Sequence, residues 1–231
     1  MFETIIDAFQ QALNLIASGD PEVFSTALRS LYVSGLGTIL ACLWSIPIAV
    51  VMGLYSFRGK WLINAIFNTL LGLPTVTLGL ILVMFLSRSG PAGFLHLLFT
   101  ANGIAIGQAI LVTPIIISYA SSALNASDVQ LKDLAKTMGA SSFQTNVAVV
   151  RETMWAIFLS VTMAFNRAFS ELGIAMMVGG NIAYMTRVLT TSVALETSKG
   201  EYPFAMALAI ILMTIVFTIT LIINFVERLK K

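Results

Sequence analysis

SDVQLKDLAKTMGASSFQTNVAVV, residues 127–150, is the one extended polar run between long apolar blocks. Ser127 and Gln130 have the spacing of a capping box, in which two side chains satisfy free N–H groups of the first helical turn. Leu131, Leu134 and Met138 then fall on one helix face. Gly139 supplies a residue able to adopt positive φ and stop the helix. Ser141 and Gln144 repeat the box, and Phe143, Val147 and Val150 repeat the apolar stripe. The run predicts two short amphipathic helices at an angle, outside the bilayer and held between membrane spans. Such a knob either presses into a partner or rests unpartnered at the membrane interface.

Composition decides the class around it. Of the 231 residues, 58% are hydrophobic and only 10% are charged. A soluble domain carries about 25% charged residues, so this is an integral membrane protein. A net charge of +2 says nothing about nucleic acid, and none is expected as a partner. The lone Cys42 excludes a disulfide framework. His96 is the one histidine, and no His/Cys/Asp/Glu grouping suggests catalysis or a metal site, so no cofactor is expected on this chain. The N-terminal MFETIIDAFQ lacks the basic region of a signal peptide.

A spanning helix needs about 20 mostly apolar residues. Five stretches qualify: Leu31 to Phe57, Trp61 to Leu86, Asn102 to Leu124, Trp155 to Val178 and Phe204 to Val226. The expected fold is therefore an all-α membrane protein with five transmembrane helices. Residues 1–20 form an amphipathic surface helix, with Phe2, Ile5, Ile6, Phe9, Leu13 and Ile16 on one face, and Gly19-Asp20-Pro21 ends it. Residues 21–231 form one transmembrane domain, with the polar loop at 125–152. Placing that loop inside the cell puts eight Lys/Arg on inner segments (among them Arg58, Lys60, Lys132, Lys136 and Arg151) against four outside, Arg29, Arg88, Arg187 and Lys199. The positive-inside rule then sets the N-terminus out and the C-terminus in.

Three regions carry polar groups that lipid would not tolerate. Gly72-Leu73-Pro74-Thr75-Val76-Thr77-Leu78-Gly79 weakens the second span, so it faces either protein or a water-filled pathway, with Thr75 and Thr77 as lining candidates. The fourth span contains Asn166, Arg167 and Glu171. Exposed to lipid, the two charges would together cost roughly 5–7 kcal/mol. Four residues apart, they share a helix face and can neutralise one another. They are either a structural pair or a sensor for an anion in transit. Between the fourth and fifth spans, Thr186, Arg187, Thr190, Thr191 and Ser192 offer hydroxyls and a cation with no acid nearby. That set suits either an oxyanion or a solvated outer helix. Gly53 and Gly59-Lys60 echo a phosphate loop, but the spacing is one residue too long and Trp61 stands where Ser or Thr must hold magnesium, so nucleotide binding is rejected.

Asp133-Leu134-Ala135, three residues, Gly139-Ala140, and then Val149 resemble the cytoplasmic loop of ABC importer permeases, whose pattern is Glu-Ala-Ala-x3-Gly-x9-Ile-x-Leu-Pro. Asp133 stands for the Glu, Leu134 for the first Ala and Val149 for the Ile. Arg151 and Glu152 replace the terminal Leu-Pro, so that end of the motif is absent. In the family this loop is the coupling helix that docks into the ATPase. Arg167-Ala168-Phe169-Ser170-Glu171-Leu172-Gly173 is similar to the Arg-Ala-x-x-Glu-x-Gly segment of oxyanion permeases for sulfate, molybdate and tungstate. Val178 to Ile182, Thr186 to Thr191 and Leu195 to Gly200 resemble the tungstate type in particular, and the likeness covers about residues 25–228.

The resemblance implies an ATP-driven importer of a tetrahedral oxyanion in a prokaryotic plasma membrane. Its partners would be an outer solute-binding protein and two cytoplasmic ATPase subunits that carry the ATP and magnesium. Five helices cannot enclose a pathway with two-sided access, so a homodimer with the pathway at its interface is expected. The rival from another class is an ion-coupled secondary transporter or channel using Arg167 and Glu171 as a relay, but no second half with matching broken helices is present. An intramembrane enzyme would need a paired nucleophile and base, and none is evident.

Overall fold

Asp20 fixes where the first long helix begins. Its Oδ1 accepts the N–H groups of Glu22 and Val23, both at 3.0 Å, and Pro21 occupies the first helical turn, where a missing N–H does no harm. The computed structural model describes residues 2–127 and 137–228. In it, helix α1 (Phe2–Ala17) precedes α2 (Pro21–Leu54), α3 (Lys60–Leu70), α4 (Thr75–Leu86) and α5 (Ala101–Ala126). Past the loop come α6 (Ser142–Glu152), α7 (Met154–Phe169), α8 (Gly173–Gly179), α9 (Leu189–Lys199) and α10 (Tyr202–Arg228).

Among the described residues, three helices, α2, α5 and α10, are long and apolar enough to cross a membrane. The total rises to five if each of two bent pairs counts as one span: α3 with α4, bent by 99°, and α6 with α7, bent by 54°. Two stretches read as continuous helices are broken, the second at the bend between α3 and α4 and the fourth between α7 and α8. The second span breaks where the sequence weakened it. Gly72 and Leu73 donate back three residues, to Thr69 and Leu70, and Pro74 takes an extended backbone (φ −65°, ψ 119°) before α4 starts. The fourth stretch, Trp155 to Val178, ends as a helix at Phe169 and resumes at Gly173. The first span begins at Pro21 rather than Leu31. Its 34 residues reach about 51 Å at 1.5 Å per residue, well beyond a hydrocarbon core of about 30 Å.

The long helices pack through small residues. α2 turns Ser34, Gly37, Thr38, Ala41, Ser45 and Ala49 inward. A Cβ on Gly37 would stand 2.8 Å from the Ala105 carbonyl, so only glycine lets α2 and α5 approach this closely. Leu78, Leu82 and Leu86 of α4 meet Ile104 of α5 and Ile174 and Val178 of α8 in one buried cluster. Ala12 of α1 and Leu208 and Ile211 of α10 form another. The predicted apolar stripe of α1 stays open, with Ile6, Phe9, Leu13 and Ile16 exposed. So do Ile39, Leu43 and Ile48 on α2 and Met213, Phe217 and Leu221 on α10. In water such surface marks an association site; against lipid tails it is matched by its solvent.

Candidate functional site

The break between α7 and α8 is built around Glu171, which is only 2% exposed. Its Oε2 lies 2.7 Å from Arg167 Nη1. Its Oε1 accepts the first two N–H groups of α8, from Gly173 at 2.8 Å and Ile174 at 3.3 Å. Its carbonyl accepts the hydroxyl of Thr190 at 2.9 Å. The carboxylate thus replaces the intrahelical partners that the break removes, and the charge sits at a helix start, where a negative group is favoured. Arg167 is differently placed, for 40% of its side chain remains open. The sequence-level pair exists, but Glu171 lies beyond the end of α7, and its side chain serves two helices.

Gln108 of α5, only 2% exposed, steadies the same junction. Its Nε2 donates to the Ala168 carbonyl at 2.9 Å, one turn before the break. An amide inside a long apolar helix was the available signal for it. Asn166 donates to Thr220 Oγ1 of α10 at 3.0 Å, and its buried Oδ1 has no partner.

The two broken regions meet. A Cβ on Gly173 would stand 2.7 Å from Thr75 Oγ1 and 3.0 Å from Val76 N, so the start of α8 presses on the start of α4. Thr75 is half-buried in this contact, while Thr77 is exposed. Thr75, Arg167, Glu171 and Thr190 therefore converge on one junction. Arg187 lies apart, its Nη1 3.6 Å from Glu22 Oε1, and Arg29 donates to the carbonyls of Arg187 at 2.8 Å and Tyr184 at 3.0 Å. Thr191 Oγ1 accepts from Val188 N and donates to Val188 O, both at 3.0 Å. Thr186 Oγ1 donates to the Gly179 carbonyl at 2.6 Å. These hydroxyls are buried and committed to main chain.

In the polar loop, Asp133, Leu134, Ala135 and Gln130 lie outside the described residues. Gly139 has φ +83° with open space around it, a backbone that side-chain-bearing residues resist. The second capping box forms: Gln144 Oε1 accepts from Ser141 N at 2.8 Å, and Ser141 Oγ accepts from Gln144 N at 3.3 Å. The expected apolar stripe is rotated. Thr145 and Val149 face inward, whereas Phe143 is 77% and Met138 81% exposed. Ala140 is half-buried between them in sequence.

Among the described residues the chain is an all-helical bundle with broken spans, apolar outer faces and a capped helical loop, the architecture of a membrane-embedded protein. The chain belongs to the family described as the binding-protein-dependent transport system inner membrane component, which matches residues 45–230. It is thus an ABC importer permease and a multi-pass plasma-membrane protein. It is similar to the "Tungstate uptake system permease protein TupB" of Peptoclostridium acidaminophilum, 38% identical over 96% of this chain and 97% of that one. The protein of the same description from Campylobacter jejuni is 37% identical over 97% of this chain and 94% of that one. A solved amino acid ABC transporter with histidines shares the fold at a TM-score of 0.69 and 16% identity, covering 92% of this chain and 96% of its own.

Proposed function

We propose that this chain is the membrane subunit of an ATP-driven importer for a tetrahedral oxyanion, tungstate first among them. The observation that carries the reading is the near-full-length similarity to two tungstate uptake permeases. Two copies pair with the pathway between them, N-termini outside and C-termini inside. An outer binding protein delivers the anion. Two ATPase subunits, which hold the ATP and magnesium, receive the loop around Asp133, Leu134, Ala135, Gly139 and Ala140. Exposed Met138 and Phe143 add apolar contacts to that docking face. Closure of the ATPases tilts α6 and α7, and the junction at Glu171 passes the tilt to α4 and α8.

At that junction Thr75 and the open side of Arg167 face the passing anion, with Asn166 nearby on α7, and Thr77 lines the pathway from the other face of α4. Glu171 orients Arg167 and holds α8, and Thr190 fixes the same turn. Arg187 and Thr191 shape the outer segment that Arg29 ties to α2. The guanidinium retains donors beyond the one given to Glu171, and an oxyanion needs such donors.

The test is reconstitution with the cognate ATPase and binding protein in liposomes. ATP-dependent tungstate uptake is expected, with molybdate competing better than sulfate and with no ATP hydrolysis by the permease alone. Robust uptake by this chain alone, driven by an ion gradient, would overturn the reading.

A further inference from the structure

A polar cavity of about 300 Å³ opens between α3 and α5, away from the Glu171 junction. One wall is Asn64 and Asn68, one turn apart on α3, with Leu71 just past the end of that helix. The facing wall is Ser118, Ser121, Ser122 and Asn125, spaced i, i+3, i+4, i+7 on α5. Asn64 and Asn68 share one face of α3 and the four polar residues share one face of α5, while Leu71 and Tyr119 add apolar surface to the walls. The buried Ser118 Oγ has no partner. Among the described residues, no carboxylate lines the cavity. Lys60 Nζ, 2.9 Å from Asn125 Oδ1, places a positive charge beside it.

Its position is informative. Ser118 to Asn125 are the last turns of α5 before the loop at 125–152. Leu71 is the last residue before the Gly72–Pro74 break, beyond which Thr75 begins α4. The cavity thus lies between the Thr75 junction and the loop end of the bundle. A polar stripe is costly against lipid and tolerable where it lines a water-filled space. At about 30 Å³ per water, the volume holds about ten waters, room for a four-oxygen ion with part of its hydration shell. Neutral amides and hydroxyls hold an anion more weakly than a buried guanidinium would. Weak holding suits release, because conduction requires that an ion can leave each site.

We propose that this cavity is the last oxyanion site in the permease, a neutral donor pocket that passes the ion to the loop side. The proposal rests on the oxyanion-importer reading given above.

The experiment uses the complete complex of permease, ATPase and binding protein in liposomes, with tungstate as the probe. Asn68→Asp is expected to lower uptake at least about tenfold, since a carboxylate about 4 Å from the ion repels it strongly even at a near-surface effective dielectric. Binding-protein-stimulated ATP hydrolysis should stay within about twofold of wild type. Asn68→Gln, of larger volume and unchanged charge, keeps a neutral amide at the site and should retain most uptake. Ser122→Asp on the facing wall gives a second reading if the first variant assembles poorly. Equal losses in the Asp and Gln variants would mean that the site responds to volume rather than charge, and would overturn the proposal; so would wild-type uptake in both Asp variants. Tungstate uptake by the unaltered complex is the control: its absence sinks the importer reading and this site together, whereas normal wild-type uptake with charge-blind variants sinks the site alone.

Discussion

Gly173 rests against Thr75 so closely that a single added methyl would lie 2.7 Å from the threonine hydroxyl and 3.0 Å from the next backbone nitrogen. The backbone atom cannot swing aside as a side-chain end could. Gly173→Ala should therefore behave as an overpacking mutation, destabilising by about 1–3 kcal/mol. Thermal unfolding of the detergent-solubilised complex measures it. Wild-type stability would mean that α4 and α8 do not meet as described.

Glu171 and Arg167 should respond unequally. Removing Glu171 strands the buried N–H groups of Gly173 and Ile174, at about 1–3 kcal/mol for each donor left without a partner. Removing Arg167 leaves those two bonds in place and deletes a half-open cation. The expected order of destabilisation is Glu171→Leu above Arg167→Leu, with the double variant close to Glu171→Leu rather than rescued. Glu171→Gln, which keeps an acceptor for the N–H groups, should recover much of the loss. Full rescue in the double variant would reduce Glu171 to an ion-pair partner.

Gly139→Val should leave membrane insertion intact and uncouple transport from ATP hydrolysis. No atom blocks the new side chain, so the penalty is conformational, about 1–2 kcal/mol for a left-handed residue with a Cβ and more for a β-branched one. Gly139→Asn should be milder. Uptake per ATP hydrolysed, with ATPase capture as the control, separates uncoupling from lost binding. Normal coupling in the valine variant would show that the bend at 139 is dispensable.

Ser141→Ala removes one arm of the capping box and should loosen α6 by about 1 kcal/mol. Amide hydrogen exchange would show it as faster exchange confined to residues 142–152, with α7 unchanged. Exchange that rises equally across α7 would mean that the two helices open as one unit.

The sequence exposed the first break and hid the second for a physical reason. Gly72 and Pro74 weaken a helix locally, so their effect is written where it acts. Glu171 breaks its segment through bonds to Gly173, Ile174 and Arg167, and a charge four residues after another reads equally well as a helical pair. The early start of α2 was missed because Glu22, Ser25 and Arg29 fail an apolarity test, whereas Asp20 and Pro21 make a helix start irrespective of apolarity. The hydroxyls of Thr186 and Thr191 looked free because sequence names a donor without saying which carbonyl it has already taken. The Asn and Ser stripes of α3 and α5 were legible as polar residues at helical spacing.

The contact between Gly173 and Thr75 also bears on how the chain is made. Its two sides are separated by about a hundred residues, which a ribosome adds in roughly 5–20 s. Until α7 and α8 emerge, the fracture at Gly72–Pro74 must wait in the membrane without the surface that later covers it. The nascent bent pair of α3 and α4 is then a biosynthetic intermediate with an open polar seam, and a membrane chaperone that shelters such seams would act during that interval.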